Sequence, residues 1–383
     1  MSKQFIHLSM AVFLTAGSLF AESKSQSMLL KKTTPSPNTY EQGFSIEKDQ
    51  LPPAYGAPSR INVSNGRDWF VNASFIYWYV SQDAMDIASS AKTDGVIEFL
   101  PPDSATLVQD FDYAPGFKVG LGMNVGIDDW VVDLQYTRIA NHTTVSKKPP
   151  KGGPGTSVWL SNWFFGSTPV GFHVPPSLHI SSKWHYKINF LDLGLGRPYY
   201  LGRHLTISPK FGLRALWIDQ SLKISEMLPD LFGVNPIKQP VVSRNHSNSW
   251  GLGPRLGIEG NWLFCHGFRA QGNFAASLIM TKFTKVKHSE DTVLLTSYAP
   301  VFKSHLNSFG CVRPILEAGL GFGWGMYLNR QKNYIDFAAT YDFNILFAQN
   351  MMRKLMDQNF SLSGASPGDL SMHGLTIAGR FDF

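Results

Sequence analysis

From Asp68 to the last residue, apolar and polar side chains alternate with a period of two. At this spacing successive β-strand side chains point to opposite faces. In 117–125, Phe117, Val119, Leu121, Met123 and Val125 share one face, and Lys118, Gly120, Gly122 and Asn124 share the other. In 204–217, Leu205, Ile207, Phe211, Leu213 and Trp217 oppose His204, Thr206, Ser208, Lys210 and Arg214. In 249–259, Trp250, Leu252, Leu256 and Ile258 alternate with Gly251, Gly253, Arg255, Gly257 and Glu259. The pattern predicts ten strands, near 68–80, 114–125, 129–140, 183–194, 204–217, 248–259, 266–280, 310–327, 333–347 and 372–383. Most exceed the ~5–6 residues of an ordinary strand and reach the ~9–11 that cross a bilayer at a tilt.

A soluble sandwich also alternates, so one strand does not decide the class. Connection lengths do. The gaps run 33, 3, 42, 9, 30, 6, 29, 5 and 24 residues, alternately long and short. This predicts an all-β protein, a transmembrane antiparallel β-barrel of ten strands with long extracellular loops and short periplasmic turns. Closure follows because hydrocarbon offers no partner for an unpaired strand edge. The stretch VWLSNWFF (158–165) reads as either an extra strand or an inserted plug, which leaves twelve strands as the alternative. Pro209, Pro254 and Pro314 fall inside strands, where bulges or missing ladder bonds are expected. In 183–194, Trp184, Tyr186, Ile188 and Phe190 share a face with Asp192 while Leu191 and Leu193 lie opposite, and a bulge near 190 would restore the phase. In 349–360, Met352, Leu355, Met356 and Asn359 stand at helical spacing, suggesting a short amphipathic helix that caps the barrel or lies on the membrane.

The chain ends divide the rest. Residues 1–21 carry Lys3, an apolar run from Leu8 to Phe20 and small residues at Ala16, Ser18 and Ala21, the form of a secretory signal peptide. Residues 22–67 are rich in Ser, Pro, Lys and Thr without a sustained period and read as a flexible or loosely docked periplasmic segment, and 68–383 as the barrel. The last strand ends on Phe381 and Phe383, which share a face with Leu375, Ile377 and Gly379. It resembles the closing strand that the outer-membrane barrel assembly machinery recognises.

Composition agrees. Only 16% of residues are charged and 13% are aromatic, and outside the leader there is no apolar run long enough for a membrane helix. A net charge of +6 without a Lys/Arg block gives no sign of nucleic-acid binding. Two cysteines exclude a disulfide scaffold.

Five stretches together resemble the Legionella-type major outer membrane protein family of pore-forming barrels, with relatives in chlamydia-like bacteria. They are AYGAPSRINV (54–63), SFIYWYVSQDAMDIA (74–88), GFKVGLGMNVGIDDWVVDLQYT (116–137), GLRALWIDQ (212–220) and GPRLGIEGNWLFCHGFRAQGNFAASLIMTK (253–282). The resemblance implies an outer-membrane pore or abundant structural porin and supplies no catalytic residue. Its expected partners are outer-membrane lipid, small solutes or ions and a host-cell surface, with no cofactor or metal.

On the alternation, Lys118, Asp133, Lys210, Arg214, Arg255, Glu259, Arg269, Arg313, Glu317, Asp336, Asp342 and Arg380 face the lumen. Seven basic against five acidic groups suggests either a water-filled path with a slight anion preference or a ladder of salt bridges bracing the wall. Ten strands predict a narrow interior. Gly319, Gly321, Gly323 and Gly325 on one strand, with Gly251, Gly253 and Gly257 on another, either widen it, let a loop or ring pack close to the wall, or permit curvature. Trp69, Trp130, Trp184, Trp217, Trp250, Trp324 and Tyr334 lie near strand ends, where aromatic girdles form. Cys265 falls in a periplasmic turn and Cys311 near an outer strand end, too far apart to bond with each other. Disulfides between molecules, as in the cross-linked envelopes of similar proteins, are a hypothesis for them that the oxidising compartment motivates, with free thiols as the other reading. Asp83, Asp86, His142, Asp219, His288 and His305 are rim candidates for a barrel hydrolase, but no HExxH or GxSxG unites them. No enzymatic activity is expected.

Overall fold

The computed structural model describes residues 56–64, 66, 68–93, 98–99, 104–126, 128–150, 156–164, 176–227, 241–291, 302–359 and 367–383. The predicted leader lies outside the described residues.

Ten antiparallel strands form the wall. They are β1 (Trp69–Gln82), β5 (Asp112–Asn124), β6 (Val131–Lys147), β9 (His179–Gly196), β11 (Leu205–Met227), β12 (Val241–Leu263), β13 (Phe268–Asp291), β15 (Phe309–Leu328), β16 (Asn333–Leu346) and β17 (Leu370–Asp382). Each pairs with the next in this order, and β17 returns to β1 from Phe70↔Asp382 to Gln82↔Leu370, so the sheet is closed. Closure pairs the first and last strands and leaves no edge to lipid. β10 (Tyr199–Tyr200) and β14 (Phe302–Leu306) add short pairings to β11 and β13. A separate sheet joins β2 (Asp86–Thr93), β3 (Glu98–Phe99), β4 (Thr106–Val108), β7 (Thr156–Ser161) and β8 (Pro176–Ser177). The twelve-strand alternative is thereby overturned, because the Val158–Ser161 stretch pairs with β2 instead of entering the wall.

All ten strands stand where the alternation put them, but several run further outward. β11 continues to Met227, β12 begins at Val241 and β13 reaches Asp291. The cause is a reversal of polarity with height. Low on β11, Phe211 and Leu213 are exposed and Arg214 is buried; above Trp217, Asp219 and Lys223 face out while Ile218, Leu222 and Ile224 are buried. Lipid surrounds the lower wall and water the upper wall, so the rule for the outer face changes at the headgroups. On β12 the exposed Trp250 and Trp262 are twelve residues apart. At ~3.3 Å per residue and a tilt near 40° that is about 30 Å of height, the thickness of a bilayer core.

The same reversal corrects the reading of 183–194. No bulge occurs near 190: pairing runs unbroken from Ile180 to Gly196 on both sides of β9. Trp184, Tyr186, Ile188 and Phe190 do face inward with Asp192, because they belong to an apolar upper interior and Asp192 to a polar lower one. Nor do the prolines produce bulges. Pro209 and Pro314 sit where pairing with β9 and β16 has just ended. At Pro254 the β12–β13 ladder skips two pairs, between Leu252↔Met280 and Arg255↔Ser277, while keeping register, so the ladder bonds are missing there as expected; its one shift falls at Asn248/Ser249.

The upper interior is filled. Ile87 and Trp159 of the loop sheet, with Met85, Trp163 and Phe164 beside its strands, form one buried cluster with Ile76, Trp78, Ile139, Trp184, Ile188, Leu216, Ile218 and Ile224 of the wall. Helix α1 (Met351–Asn359) joins them through Met352 and Met356, so it caps the barrel. Asn350 caps the helix, its Oδ1 accepting from Arg353 N at 3.2 Å. At the other end, residues 56–64 form a strap across the periplasmic mouth. Gly56 N donates to Tyr200 O (2.9 Å), Ser59 N to Pro198 O (3.1 Å) and Ser64 N to Gln331 O (2.8 Å). The turns it joins are four strands apart around a ten-strand ring, nearly a diameter. The end of the 22–67 segment is thus docked by backbone hydrogen bonds.

Candidate lumenal site

Between strap and apolar cap lies a polar chamber of about 490 Å³. Its wall is the lower inward face, where alternate residues of every strand must be polar because lipid takes the other face. Six cations project into this lower interior, and each meets a carboxylate. Lys118 Nζ lies 3.0 Å from Asp342, and Lys210 Nζ 2.6 Å from Glu259 and 3.9 Å from Asp133. Arg214 holds Asp192 bidentately at 2.6 and 2.7 Å and also pairs with Glu317, which Arg255 shares at 2.8 Å. Arg269 clasps both oxygens of Asp336, at 2.8 Å for Oδ1. Arg380 forms the same fork with Asp382 at 2.6 and 2.9 Å. Bidentate pairing holds each guanidinium in one plane and satisfies the acid lone pairs.

Eleven of the twelve expected lumenal residues are thus brought together. Arg313 is the correction. It faces inward but stands above the chamber, its guanidinium 6.0 Å from the ring centre of Phe283, in the apolar layer. Asp192 and Asp382 were not among the twelve; the first was hidden by the phase puzzle of its strand, and the second could have been found by continuing the inward series Thr376, Ala378, Arg380 by one step. With these changes the described residues place six cations against seven carboxylates here, so the basic excess behind the expected anion preference is absent.

The glycine row on β15 serves close packing. A Cβ on Gly323 would stand 2.7 Å from Arg269 Cζ, and one on Gly319 would stand 2.6 Å from Asp342 Oδ1. Bare backbone lets the paired side chains of neighbouring strands lie flat against the wall.

Of the aromatic residues near strand ends, Trp217 and Trp250 are exposed partners across β11 and β12 at the upper edge. Trp69 is exposed at the lower edge, where Trp130 stacks edge-on against Phe211 at 5.9 Å and Trp324 lies 6.4 Å from Phe268. Trp184 and Tyr334 are corrections, since both point inward. Trp184 is buried against Phe111 and Tyr186 in the apolar layer, and Tyr334 reaches Asp336 with its hydroxyl at 3.4 Å. Phe381 and Phe383 face outward, stacked at 5.8 Å. Cys265 is exposed in the β12–β13 turn and Cys311 half-buried near the outer end of β15.

The rim candidates do not converge. Asp86 latches the cap, accepting from Asn162 at 2.6 Å and Arg353 at 3.2 Å. His288 is buried, its ring nitrogens on Asn245 (2.8 Å) and Glu290 (2.7 Å). His142 and Asp219 face outward, His305 pairs with Lys287 along β14, and the Asp83 carbonyl accepts from Asn350.

Above the membrane, Glu226 of β11 is fully buried, and neither carboxylate oxygen has a hydrogen-bond partner among the described residues. Burial pushes its pKa up to about 8, with nearby Ser161 opposing and the like charge of Glu290 adding. The unfolded group titrates near 4.5. Between the two values the folded protein binds the extra proton, so this contribution to stability is complete below about pH 4.5 and is lost as pH rises through about 8. The thermal midpoint in detergent should fall between pH 5 and 9, and Glu226→Gln should flatten that slope. An unchanged slope in the variant would assign the dependence to other groups.

The chain resembles several solved barrels. The outer membrane protease OmpT from Escherichia coli is 9% identical over 85% of this chain and 99% of its own, with a TM-score of 0.41. The translocator domain of autotransporter NalP from Neisseria meningitidis is 12% identical over 83% and 90%, with a TM-score of 0.32. The Ralstonia pickettii toluene transporter TbuX is 12% identical over 87% and 96%, with a TM-score of 0.27. No curated protein matches the chain. The family model described as the Legionella pneumophila major outer membrane protein precursor matches residues 63–383. With the closed ten-strand wall and its lipid-facing apolar band, the match assigns this chain to the Legionella major outer membrane protein family, a barrel of the outer membrane.

Proposed function

We propose that the protein is a narrow, gated pore of the outer membrane that passes small solutes or ions, and an envelope building block without enzymatic activity. The observation that carries this reading is the chamber of about 490 Å³, which is polar, lined by paired charges and left open by a wall that larger side chains would have filled. Six cations facing seven carboxylates support weak ion selectivity without the anion preference that the sequence suggested. The apolar cap is the barrier such a pore must open, since a desolvated ion does not cross a layer of Trp163, Phe164 and Met356. Single-channel conductance with reversal potential in a salt gradient tests this, using the cap variant described in the Discussion.

A second reading is favoured by that same dry layer: a permanently closed structural barrel. It predicts silence even when the cap is weakened. For the envelope role, exposed Cys265 supports a disulfide between neighbouring copies. Non-reducing gels of outer membranes should show a dimer band that Cys265→Ser removes and Cys311→Ser keeps. Monomer alone in the wild type would eliminate the cross-link.

A further inference from the structure

The upper wall carries an ordered field of positive charge on one side of the barrel. Register places it in three outward rows. Two residues above Trp217 and Trp250 runs Ala140–Lys187–Asp219–Asn248–Lys285. Above it runs His142–His185–Ser221–His246–Lys287, and then Thr144–Lys183–Lys223–Arg244–Ser289. β14 lengthens the upper two rows with His305 and Lys303. The rows hold seven lysines and arginines against Asp219, and Arg244 is paired with Asp291 just above it. Among the described residues none of the lysines has an acid partner, although every cation of the polar chamber does.

Three further observations give this field a direction. It begins at the upper tryptophan pair, and its rows climb in steps of about 5 Å, so the first two lie within the ~5–8 Å headgroup zone of the leaflet. It is one-sided: toward the upper ends of β1, β5, β16 and β17 the described outward residues include Tyr77, Tyr79, Tyr113, Tyr341, Phe343 and His373, and none of the outward residues there is a lysine or arginine. A shallow groove of about 590 Å³ crosses it, bordered by His142, His185, Lys187, His246 and Lys285, with Asp219 as the acid on its border. The groove is a cationic trough: burial and then the charges of Lys285, Lys287 and Arg244 hold His246 below the ordinary histidine range. Burial, Lys183 and His142 do the same to His185. An anion in the groove would relieve this repulsion.

We propose that this face of the upper wall is a binding site for the phosphorylated headgroups of outer-leaflet glycolipid, whose acyl chains lie on the apolar band directly below. Charge complementarity and continuity with the lipid-facing surface select this occupant: lysine stems reach along the wall while their ammonium groups meet phosphates. The inference is independent of whether the barrel conducts.

The test uses the full chain refolded in uncharged detergent, with bis-phosphorylated lipid A as probe and dephosphorylated lipid A and inorganic phosphate as controls. Binding is read by retention of the lipid on the immobilised protein and by the thermal midpoint. Lipid A should be retained and raise the midpoint. The variant Lys187→Gln/Lys223→Gln/Lys285→Gln/Lys287→Gln should bind it at least tenfold more weakly, with its heat-sensitive gel migration unchanged because all four side chains face solvent. Equal retention of the dephosphorylated lipid would show that the apolar band alone holds it and overturn the proposal. So would an unchanged affinity in the folded variant, or an equal response to inorganic phosphate.

Discussion

Arg214→Met lowers the unfolding free energy of the barrel by about 3 kcal/mol, the low end of the cost of stranding a buried ion partner. Arg214 is 4% exposed and, among the described residues, is the one cation paired with Asp192, both of whose oxygens it holds; Asp192 is itself 6% exposed. Methionine fills much of the volume but leaves that carboxylate without a cation. Arg255→Met should cost less. Its side chain is 25% exposed, so water screens the loss, and Glu317 keeps Arg214. Restoring balance should restore stability: in the double variant Arg214→Met/Asp192→Leu most of the loss is recovered, because replacing a buried pair by apolar groups of like size is near neutral. Reversible denaturant unfolding of the refolded barrel in detergent measures all four proteins. A loss below 1 kcal/mol for the single variant, or a double variant no better than the single, would show that chamber water solvates Asp192 adequately.

Weakening the cap has the largest expected effect on transport. Trp163 is fully buried, its Nε1 donates to Asp86 O at 2.7 Å, and the guanidinium of Arg353 lies 5.7 Å from its ring centre. Arg353 is in turn latched to Asp86 and Asp357, so one tryptophan ties the loop sheet to α1. Truncating a buried tryptophan to alanine costs about 3–5 kcal/mol. Here that loss falls on the packing between cap and wall, while the wall keeps its hydrogen bonds. In planar bilayers the wild-type protein should open rarely, and Trp163→Ala should raise open probability at least tenfold. Its reversal potential in a salt gradient should lie near zero, with at most a slight preference for cations. Trp163→Phe should fall between them. A silent Trp163→Ala protein that still shows heat-sensitive migration would discard the pore and leave the closed structural barrel.

The alternation and the loop arithmetic sufficed for the wall. A residue such as Phe322 or Leu320 facing lipid has one environment whatever the rest of the chain does, so its polarity is written locally. The lower charged positions were legible for the same reason, from Lys118 to Arg380. The misassigned residues have two causes. Trp184 and Arg313 have the right phase for the inside of a barrel, but they lie at a height where the inside is apolar. Tyr334, although low, was misread as a girdle ring because closeness to a strand end does not reveal which way the ring points.

By itself the sequence determined where the ten wall strands lie, which face most of their side chains take within the bilayer, and that the ends of the sheet must meet. Those are properties of the backbone period and the solvent beside it. Only the tertiary structure decided what fills the upper interior, which cation meets which acid, and that the strands continue past the membrane with their faces exchanged. These depend on Trp163, Met356 and Gln109 arriving from loops remote in sequence to meet wall residues such as Thr143 and Ser182. No local pattern records a meeting between segments that are neighbours only after the sheet has closed.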